Sequence, residues 1–590
     1  MISSYATIQP KELTAKAVRS VLQLDQSGTF LNLIAAFSIL VYILVYVNLP
    51  LYLFPAAGHD DGLFISHAFY IASGEWLGPY NHLTLMKGPG YPLFLAVMSL
   101  FRIPITLAHG VVWASSIWLL SYATNRIFKS VFLSIIVLEV LLWNFGPHSM
   151  RVLRDEISTP QLVTAFAFLL LALFSAKKSV MLVCASLSGL VFGWFWITRE
   201  EGMLAIPAIV ILWGCCFHKT YSSGRSLRSP LKMLAVFLGS WAAVLAIVAF
   251  INLRVYKTFC IVDVKGEFES ALEALESVKP DSYVPFTLIS RSAREKVYRV
   301  SPTFAQLRQL LDGPGSPIER WGKGGCRIYP ATCGDYVAGL FVWALRDAVA
   351  VHGDYSSARA ASNFYRKVHN EIKKACRSGT ISCYHNALPF MPHINKDQWL
   401  RAGFSFKAAL IVLSFQNPPL QNDANSIGAD DQIRAAAAFL NVPNHTPPPP
   451  ILDSMINHRI INFAARKRRS AIRIYAKFMP ALLVVGFVLT AILAIQCILN
   501  RSYSIGFAIL CAAWIAVACR LAALILIDIS SFPGITHLYI GYAYFFACYA
   551  CVVSIFLVVR EFSHKKQSSD QKLNPASRIA LGSANPTLKI

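Results

Sequence analysis

The sequence contains few charged residues. Asp, Glu, Lys and Arg together make up 14% of its 590 residues, whereas soluble proteins average about a quarter. This scarcity excludes a purely soluble enzyme. Disorder is excluded too, because apolar runs of about 18 or more residues recur and each can cross the hydrocarbon core as a helix. The sequence therefore predicts an α-helical polytopic membrane protein.

Acidic residues are scarcer than basic ones, 31 against 54, which gives a net charge of +23. In a soluble protein this excess would suggest a nucleic-acid partner; here we expect none, because the charge follows the membrane topology. We expect about ten transmembrane spans, with membrane lipids as their surroundings. The candidate spans lie near 30–53, 104–124, 130–146, 160–176, 180–197, 203–217, 231–251, 477–498, 505–528 and 537–559.

Basic residues are unevenly distributed between the two predicted sides. One side carries 18 basic residues against four acidic ones, whereas the short loops on the other carry more acidic than basic residues. This bias predicts that both chain ends are cytoplasmic. No cleavable signal is evident, so we expect the first span to be a signal anchor. The apolar segment 91–101 is expected to lie at the outer interface.

These spans divide the chain into five predicted parts. They are a cytoplasmic N-terminus (1–29), a seven-span module (30–251), an inserted, mainly α-helical extracytoplasmic domain (252–476), three further spans (477–559) and a disordered cytoplasmic tail (560–590). Helical periodicity is clear in 335–351 and 357–377, and prolines at 447–450 indicate a hinge. An additional crossing near 403–416 is disfavoured, because it would place the basic tail outside.

Two cysteine pairs occur in polar parts of the inserted domain, Cys326 with Cys333 and Cys376 with Cys383. Six residues separate the members of each pair, so the two-residue spacing of zinc ribbons is missing. We predict two local disulfides in an oxidising compartment. A zinc site remains the alternative.

The first predicted outer loop contains the acidic pair Asp60 and Asp61, followed by Lys87 in a Gly/Pro-rich turn. A carboxylate can take a proton from a hydroxyl, and a lysine can bind a phosphate. Such a combination suits an acceptor hydroxyl and a phosphorylated leaving group. The alternative is that the acids only solvate the membrane boundary. The loop histidines at 59, 67 and 82 are expected to be structural.

Two further charged clusters are predicted on the same side of the membrane. The first could simply cap a helix, whereas the second lies in too tight a turn to be passive, and three clusters on one side suggest a single outward cavity. Their members are Arg154, Asp155 and Glu156 at the third span, and Arg199, Glu200 and Glu201 between the fifth and sixth spans.

Arg520 lies inside the ninth predicted span. A lipid-exposed arginine there would cost about 2.5 to 3.5 kcal/mol, so we expect an anionic partner within the protein. A lipid-linked phosphate is one candidate. A structural pairing with Glu200, Glu201 or Asp528 is the other.

Taken together, these motifs resemble the GT-C superfamily of membrane glycosyltransferases, which includes protein mannosyltransferases and the aminoarabinose transferases of lipid A. The resemblance covers roughly residues 30–251. It depends on the acidic pair after the first span, Ser-Gly-Glu-Trp at 73–76, Lys-Gly-Pro-Gly-Tyr-Pro at 87–92 and the acidic motif at the third span. It implies a polyprenyl-phosphate-linked sugar donor and transfer on the extracytoplasmic face.

The resemblance implies a role for each residue that matches one of the family's motifs. It implies that Asp60 or Asp61 is the base and that Lys87 binds the donor phosphate. Asp155 or Glu156 would orient the acceptor or, with Asp60, hold a divalent metal, the only possible cofactor. Charge and position add Arg199 and Arg520 as phosphate partners and, as substrate-binding residues, Arg154, Glu200 and Glu201.

Two departures from the family bear on the substrates. The lipid A enzymes have Glu before the lysine, where this chain has Met86, and the large soluble domain lies between spans seven and eight instead of at the C-terminus. Neither the sugar nor the acceptor, whether glycan, lipid or protein, can therefore be carried over. The segment 341–347 of the inserted domain resembles an uncharacterised bacterial group. This resemblance indicates related proteins but implies no chemical role for the segment.

The sequence thus predicts a membrane glycosyltransferase, in a bacterial inner membrane, that inverts the sugar in a single displacement. A transporter or flippase of polyprenyl-linked glycans is the first alternative; transporters usually show repeated halves and helices broken at mid-membrane, and no internal repeat is evident. The second alternative is an inactive transferase module that carries a binding or assembly domain.

Overall fold

The computed structural model describes residues 28–573 except 146–148, 176, 285, 317, 329, 385–393, 417–425, 443–454, 501–503 and 532. Within these residues it is helical, and the only β pairing is two isolated bridges. The N-terminus and the proline hinge at 447–450 lie outside the described residues. The helices are α1 Gly28–Val47, α2 Asp61–Ala72, α3 Gly90–Leu100, α4 Ile105–Phe128, α5 Val131–Leu142, α6 Asp155–Phe174, α7 Lys178–Thr198, α8 Ile206–Ser222, α9 Arg228–Tyr256, α10 Glu267–Glu276, α11 Arg291–Val300, α12 Pro302–Ala305, α13 Arg308–Asp312, α14 Glu319–Ile328, α15 Ala338–His352, α16 Ala358–Arg377, α17 Lys396–Leu413, α18 Asp430–Phe439, α19 Met455–Leu499, α20 Ile505–Ser530, α21 His537–Ile540 and α22 Tyr542–Leu573, with 3-10 turns at Glu200–Ala205 and Pro330–Thr332.

Eight of the described helices are long and apolar enough to cross a membrane, namely α4, α6, α7, α8 with its preceding 3-10 turn, α9, α19, α20 and α22. Two shorter apolar helices, α1 and α5, occupy the first and third predicted span positions. The predicted fold class, an α-helical polytopic membrane protein, is confirmed. Helix α3 has 11 residues and is about 16 Å long at about 1.5 Å per residue, which is too short to cross the bilayer.

The membrane helices pack through small residues on α7. A Cβ at Gly189 would lie 2.3 Å from the carbonyl oxygen of Phe237 on α9, and one at Gly193 would lie 2.8 Å from Val244. Close backbone approach of this kind is how membrane helices gain van der Waals contact. Helix α7 also packs along α6. Because α6 and α7 are consecutive and antiparallel, the start of α6 and the end of α7 lie at the same end of the bundle.

The inserted segment has its own apolar core, formed by α10 to α16. Phe268, Val297, Phe341 and Phe364 are among its buried side chains. Helices α15 and α16 occupy the segments where the sequence periodicity predicted helices. In the structure Cys326 is bonded to Cys333 and Cys376 to Cys383.

The later part of the inserted segment packs on membrane helices instead of on that core. Helix α17 lies along α20, where the Ser405 hydroxyl donates to Asp528 at 2.5 Å. The Tyr544 hydroxyl of α22 donates to the Val412 carbonyl at 2.5 Å. Exposed Trp399 and Phe404 give α17 an apolar outer surface. Among the described residues of 252–476, those of α10 to α16 share a core of their own, whereas Ala409 and Leu413 of α17 belong to the core of the membrane helices and Ala436 of α18 to the core around α2 and α3.

Two long helices extend past the predicted span limits. Helix α19 has 45 residues and includes the basic run before the eighth predicted span. Its Arg468 interacts electrostatically with Glu156 of α6, so part of that run faces the bundle. Helix α22 continues to Leu573, whereas the sequence analysis expected a disordered tail from 560; residues 574–590 lie outside the described part of the chain.

The topology can be tested with two exposed positions, one in the inserted domain and one in the loop between α8 and α9. In intact cells, Arg299→Cys should react with a membrane-impermeant maleimide, and Ser223→Cys should react only after permeabilisation, because the basic-residue bias places them on opposite sides. Labelling of the unmodified chain gives the background from its native cysteines. Equal labelling of both variants before permeabilisation would contradict the topology.

Candidate functional site

The lysine turn, residues 87–90, lies against the end of α7. A Cβ added at Gly88 would be 2.0 Å from the carbonyl oxygen of Ile197, and one at Gly90 would be 2.3 Å from the Thr198 hydroxyl. Only glycine allows so close an approach without movement of the backbone. The Gly88 N–H donates to Glu200 at 2.9 Å. These contacts fix Lys87 at the end of the helix bundle.

Lys87 and Asp60 form an ion pair. The ammonium pairs with the Asp60 carboxylate and donates a second hydrogen bond to the carbonyl oxygen of His59. It also lies 5.0 Å from the ring centroid of Phe64. Burial lowers the pKa of Lys87, and the Asp60 carboxylate opposes that effect. The Lys87 side chain is 11% exposed and that of Asp60 is 53% exposed, so the open side of the pair is the carboxylate.

The neighbouring Asp61 has a different environment. Its side chain is fully buried and paired with Arg151, whose Nε lies 3.3 Å from Oδ1, and the Val152 N–H donates to the same oxygen at 3.2 Å. Burial raises the pKa of Asp61 to about 6, against the opposing effect of Arg151. Asp61 therefore ties the start of α2 to the segment before α6, and of the acidic pair only Asp60 is open to an acceptor.

The start of α6 and the end of α7 share two ion pairs. Arg154 donates to Glu200 at 2.7 and 3.0 Å and to the Thr198 carbonyl at 3.2 Å. Asp155 pairs with Arg199. The second and third charged clusters of the sequence are therefore brought together by the packing of α6 on α7.

Glu201 links this group to Arg520. One Glu201 oxygen lies 3.6 Å from Arg199, and the other pairs with Arg520. Arg520, whose side chain is 4% exposed, also donates to the Tyr539 carbonyl at 2.7 Å. The sequence left two candidate partners for Arg520, a lipid-linked phosphate and a carboxylate of the protein. In the structure Arg520 pairs with a carboxylate, that of Glu201.

Glu156 lies apart from the cluster. The Tyr46 hydroxyl donates to one of its oxygens at 2.9 Å, and the N–H and hydroxyl of Ser149 donate to the other at 2.7 and 2.8 Å. Its side chain is buried. Both oxygens are thus used to hold α1 and the chain before α6, so Asp155 and Glu156 do not share one site.

Tyr539 shows that the separate pairs converge. Burial raises the pKa of Tyr539, the carboxylates of Asp155 and Asp60 raise it further, and the cations of Arg199 and Arg154 lower it. One side chain therefore interacts with all four charged groups. Tyr539 is not among the residues predicted from the sequence; its position near the start of the last predicted span, 537–559, at the predicted outer end, was the only available signal.

The inserted domain is held against the first loop by α15. Arg346 donates to the His82 carbonyl at 2.7 Å and to Asp263 at 3.0 Å. His82 Nε2 lies 3.0 Å from the Asp347 carboxylate. The segment 341–347, for which the sequence predicts no chemistry, thus lies beside the candidate site, with the Trp343 ring centroid 5.7 Å from Lys87 Nζ.

A divalent metal is not supported by the donors at the site. Among the described residues, no three His, Cys, Asp or Glu side chains are grouped so that they could hold a metal ion. Asp60 and Asp155, the candidate ligands, are each paired with a cation. The roles proposed for this site are therefore roles of its own side chains.

No protein-family model and no curated protein matches the chain. Two solved structures of ArnT from Cupriavidus metallidurans are similar to it. The ArnT structure bound to undecaprenyl phosphate has 12% sequence identity to this chain and a TM-score of 0.32. The match covers 89% of this chain and 78% of the ArnT chain. The apo structure has 13% identity and a TM-score of 0.29, with coverage of 90% and 78%. TM-scores this low do not establish a common fold, so the functional proposal depends on the site itself.

The lysine turn gives a direct test of the site geometry. Gly88→Ala should lower the free energy of unfolding by about 1 to 3 kcal/mol, because the new methyl group would overlap the backbone of α7. Thermal unfolding of the purified protein in detergent measures the change. Gly58→Ala is the matched control, since a Cβ there meets nothing within 4 Å. Equal stability of the two variants would contradict the close approach.

Proposed function

We propose that this protein transfers a sugar from a polyprenyl-phosphate donor to an acceptor hydroxyl on the extracytoplasmic face of a bacterial inner membrane. The observation that carries the proposal is the pair formed by exposed Asp60 and largely buried Lys87. It places a proton acceptor and a phosphate-binding cation side by side at the ends of membrane helices.

The position of the cluster suits a lipid-linked substrate. Arg154, Asp155, Arg199 and Glu200 lie at the start of α6 and the end of α7, at one end of these two membrane helices, and Arg520 reaches them from within α20. A phosphate attached to an isoprenoid chain would reach this level while its chain stays in the bilayer. A transporter would instead be expected to place its binding groups near mid-membrane, so this position favours a transferase.

The proposed reaction is a single displacement with inversion. Asp60 takes the proton of the acceptor hydroxyl, the acceptor oxygen forms a bond to the anomeric carbon, and the bond from that carbon to the phosphate oxygen breaks. Polyprenyl phosphate leaves with the electron pair of that bond. Lys87 neutralises the charge that develops on the phosphate, an effect that preorganised cations exert most strongly when shielded from water.

Arg154 and Arg199 are the proposed additional partners of the phosphate, since Arg154 is joined to the lysine turn through Glu200 and Arg199 pairs with the adjacent Asp155. The acids beside them have a supporting role. Asp155 orients Arg199, and Glu200 orients Arg154. Arg520 is linked to the cluster through Glu201 and through the Tyr539 carbonyl and is proposed to position Arg199 instead of contacting the donor.

Asp60→Asn tests the base assignment. It should lower sugar transfer by about 100-fold or more, because general bases typically contribute that much, and lower the free energy of unfolding by about 1 to 3 kcal/mol, because largely buried Lys87 loses its counter-charge. Transfer is measured with a radiolabelled undecaprenyl-phosphate sugar and membranes as the acceptor source. Asp281→Asn, an exposed acid of the inserted domain, is the control. Undiminished transfer by Asp60→Asn would show that the base is another group.

Lys87→Gln and Arg520→Gln separate the two kinds of cation. Lys87→Gln should weaken binding of undecaprenyl phosphate about tenfold or more, because a charged hydrogen bond to the phosphate is lost. Arg520→Gln should mainly lower thermal stability, because it leaves the Glu201 carboxylate without its buried partner. If Arg520→Gln weakens binding as much as Lys87→Gln at unchanged stability, Arg520 contacts the donor directly.

A further inference from the structure

Two tryptophans of the inserted domain flank a histidine of the first loop. The ring centroid of His59 lies 4.8 Å from that of Trp321 and 4.5 Å from that of Trp343, at interplanar angles of 82° and 68°. Both tryptophans and the histidine are only partly buried. The three rings therefore form a partly exposed aromatic cluster, the aromatic cleft, defined by residues 59, 321 and 343, at the junction of the two parts of the chain.

The aromatic cleft adjoins the proposed reaction centre. The Trp343 centroid lies 5.7 Å from the Lys87 ammonium, which pairs with Asp60 and donates to the His59 carbonyl. One lysine thus contacts the candidate base, the histidine backbone and the tryptophan ring. A group bound in the cleft would lie within the length of one sugar residue of Asp60.

Hydrogen bonds from the domain hold the cleft in place. The Trp321 indole N–H donates to Asp347 at 2.8 Å, and Arg320 donates to the same oxygen at 2.7 Å. Asp347 is buried and also approaches His82 of the first loop. Trp321 is therefore a preorganised ring, which loses little conformational freedom when a ligand binds.

The composition of the cleft suits a carbohydrate. Tryptophan presents a flat apolar face that can pack against the C–H face of a pyranose, and polar groups at its rim can bind hydroxyls. His59 Nε2 is buried and lies 3.9 Å from Asp347 Oδ1, so the rim groups that can bind hydroxyls are exposed Asp60 and Arg320. An isoprenoid chain fits less well, because Lys87, His59 and Asp347 would be left desolvated beside it.

We infer that Trp321 and Trp343 bind a pyranose ring at the transferase site, so that the inserted domain completes the site. This inference rests on the proposed function. The ring can belong to the donor sugar or to a sugar of the acceptor; both offer the same C–H face and hydroxyls. Trp343 would contact substrate, whereas Asp347 would act as a positioning residue through Trp321.

Trp343→Ala and Trp343→Phe in the full-length protein test the inference. The probes are undecaprenyl phosphate and the same lipid carrying glucose or mannose, with binding measured in nanodiscs. If the cleft binds the donor sugar, Trp343→Ala should weaken binding of a sugar-bearing lipid about tenfold, since an aromatic contact contributes about 1 kcal/mol or more, and leave undecaprenyl phosphate unaffected. Trp343→Phe should retain most of the affinity. Trp399→Ala, an exposed tryptophan of α17, is the matched control.

A second measurement addresses the acceptor. If the cleft binds the acceptor sugar, Trp343→Ala should leave binding of both lipid probes unchanged and raise the KM for acceptor about tenfold, with kcat less affected. Asp347→Asn should change the same quantity in the same direction, since Trp321 loses its anchor. Either the donor or the acceptor result supports the inference.

The inference is overturned if Trp343→Ala and Trp321→Ala lower thermal stability but alter neither sugar-dependent binding nor the KM for acceptor. The rings would then only pack the domain against the loop. Failure of the proposed function has a different signature: Asp60→Asn would leave transfer intact, while Trp343→Ala would still weaken binding of sugar-bearing lipid and not of undecaprenyl phosphate.

Discussion

The close approach of the lysine turn to the end of α7 is the contact on which the candidate site depends. Two glycines bring the turn against the backbone at Ile197 and Thr198, and the Gly88 N–H binds Glu200. Since Glu200 also binds Arg154 of α6, three separate parts of the chain are joined at one point. Without that contact the charged groups of the first loop would not meet those of the later spans.

Neutralisation of charge is the second constraint on the site. Lys87, Arg154, Arg199 and Arg520 each face a carboxylate, as partly buried ions require. A phosphate entering the cluster would have to share or replace these carboxylates. Because Asp60 is the most exposed of the four acids, the exchange is easiest at Lys87, where it would also free the carboxylate to accept a proton.

The inserted segment contributes more than a separate soluble module would. Its first part reaches the loop histidines through α15, and its second part lies along α20 and α22 through α17. The contact of α15 with the first loop lies next to Lys87. The contact of α17 involves α20, the helix that carries Arg520. The location of an insertion between two groups of spans is therefore consistent with a role in binding substrate.

Several features of the site could be predicted from the sequence because they depend on local composition. Apolar length predicts ten spans; among the described residues eight helices are long and apolar enough to cross a membrane, and shorter apolar helices occupy the first and third predicted positions. The side on which Asp60, Lys87, Asp155 and Arg199 lie follows from basic-residue bias and parity, and that common side is why their convergence could be expected. Which member of each acidic pair remains at the cluster could not be predicted, because both members carry a carboxylate and only the packing around them differs.

Tertiary packing decided those roles. Asp61 and Glu156 are buried by distant residues, Arg151 for one and Tyr46 for the other, while Asp60 and Asp155 stay at the cluster. The partner of Arg520 and the proximity of Trp343 to Lys87 likewise depend on contacts between residues hundreds of positions apart. The sequence by itself determined that the chain forms a helical membrane protein, and it predicts that the charged clusters share one side. The structure alone determined which charges meet, because burial and pairing depend on helix packing and not on local sequence.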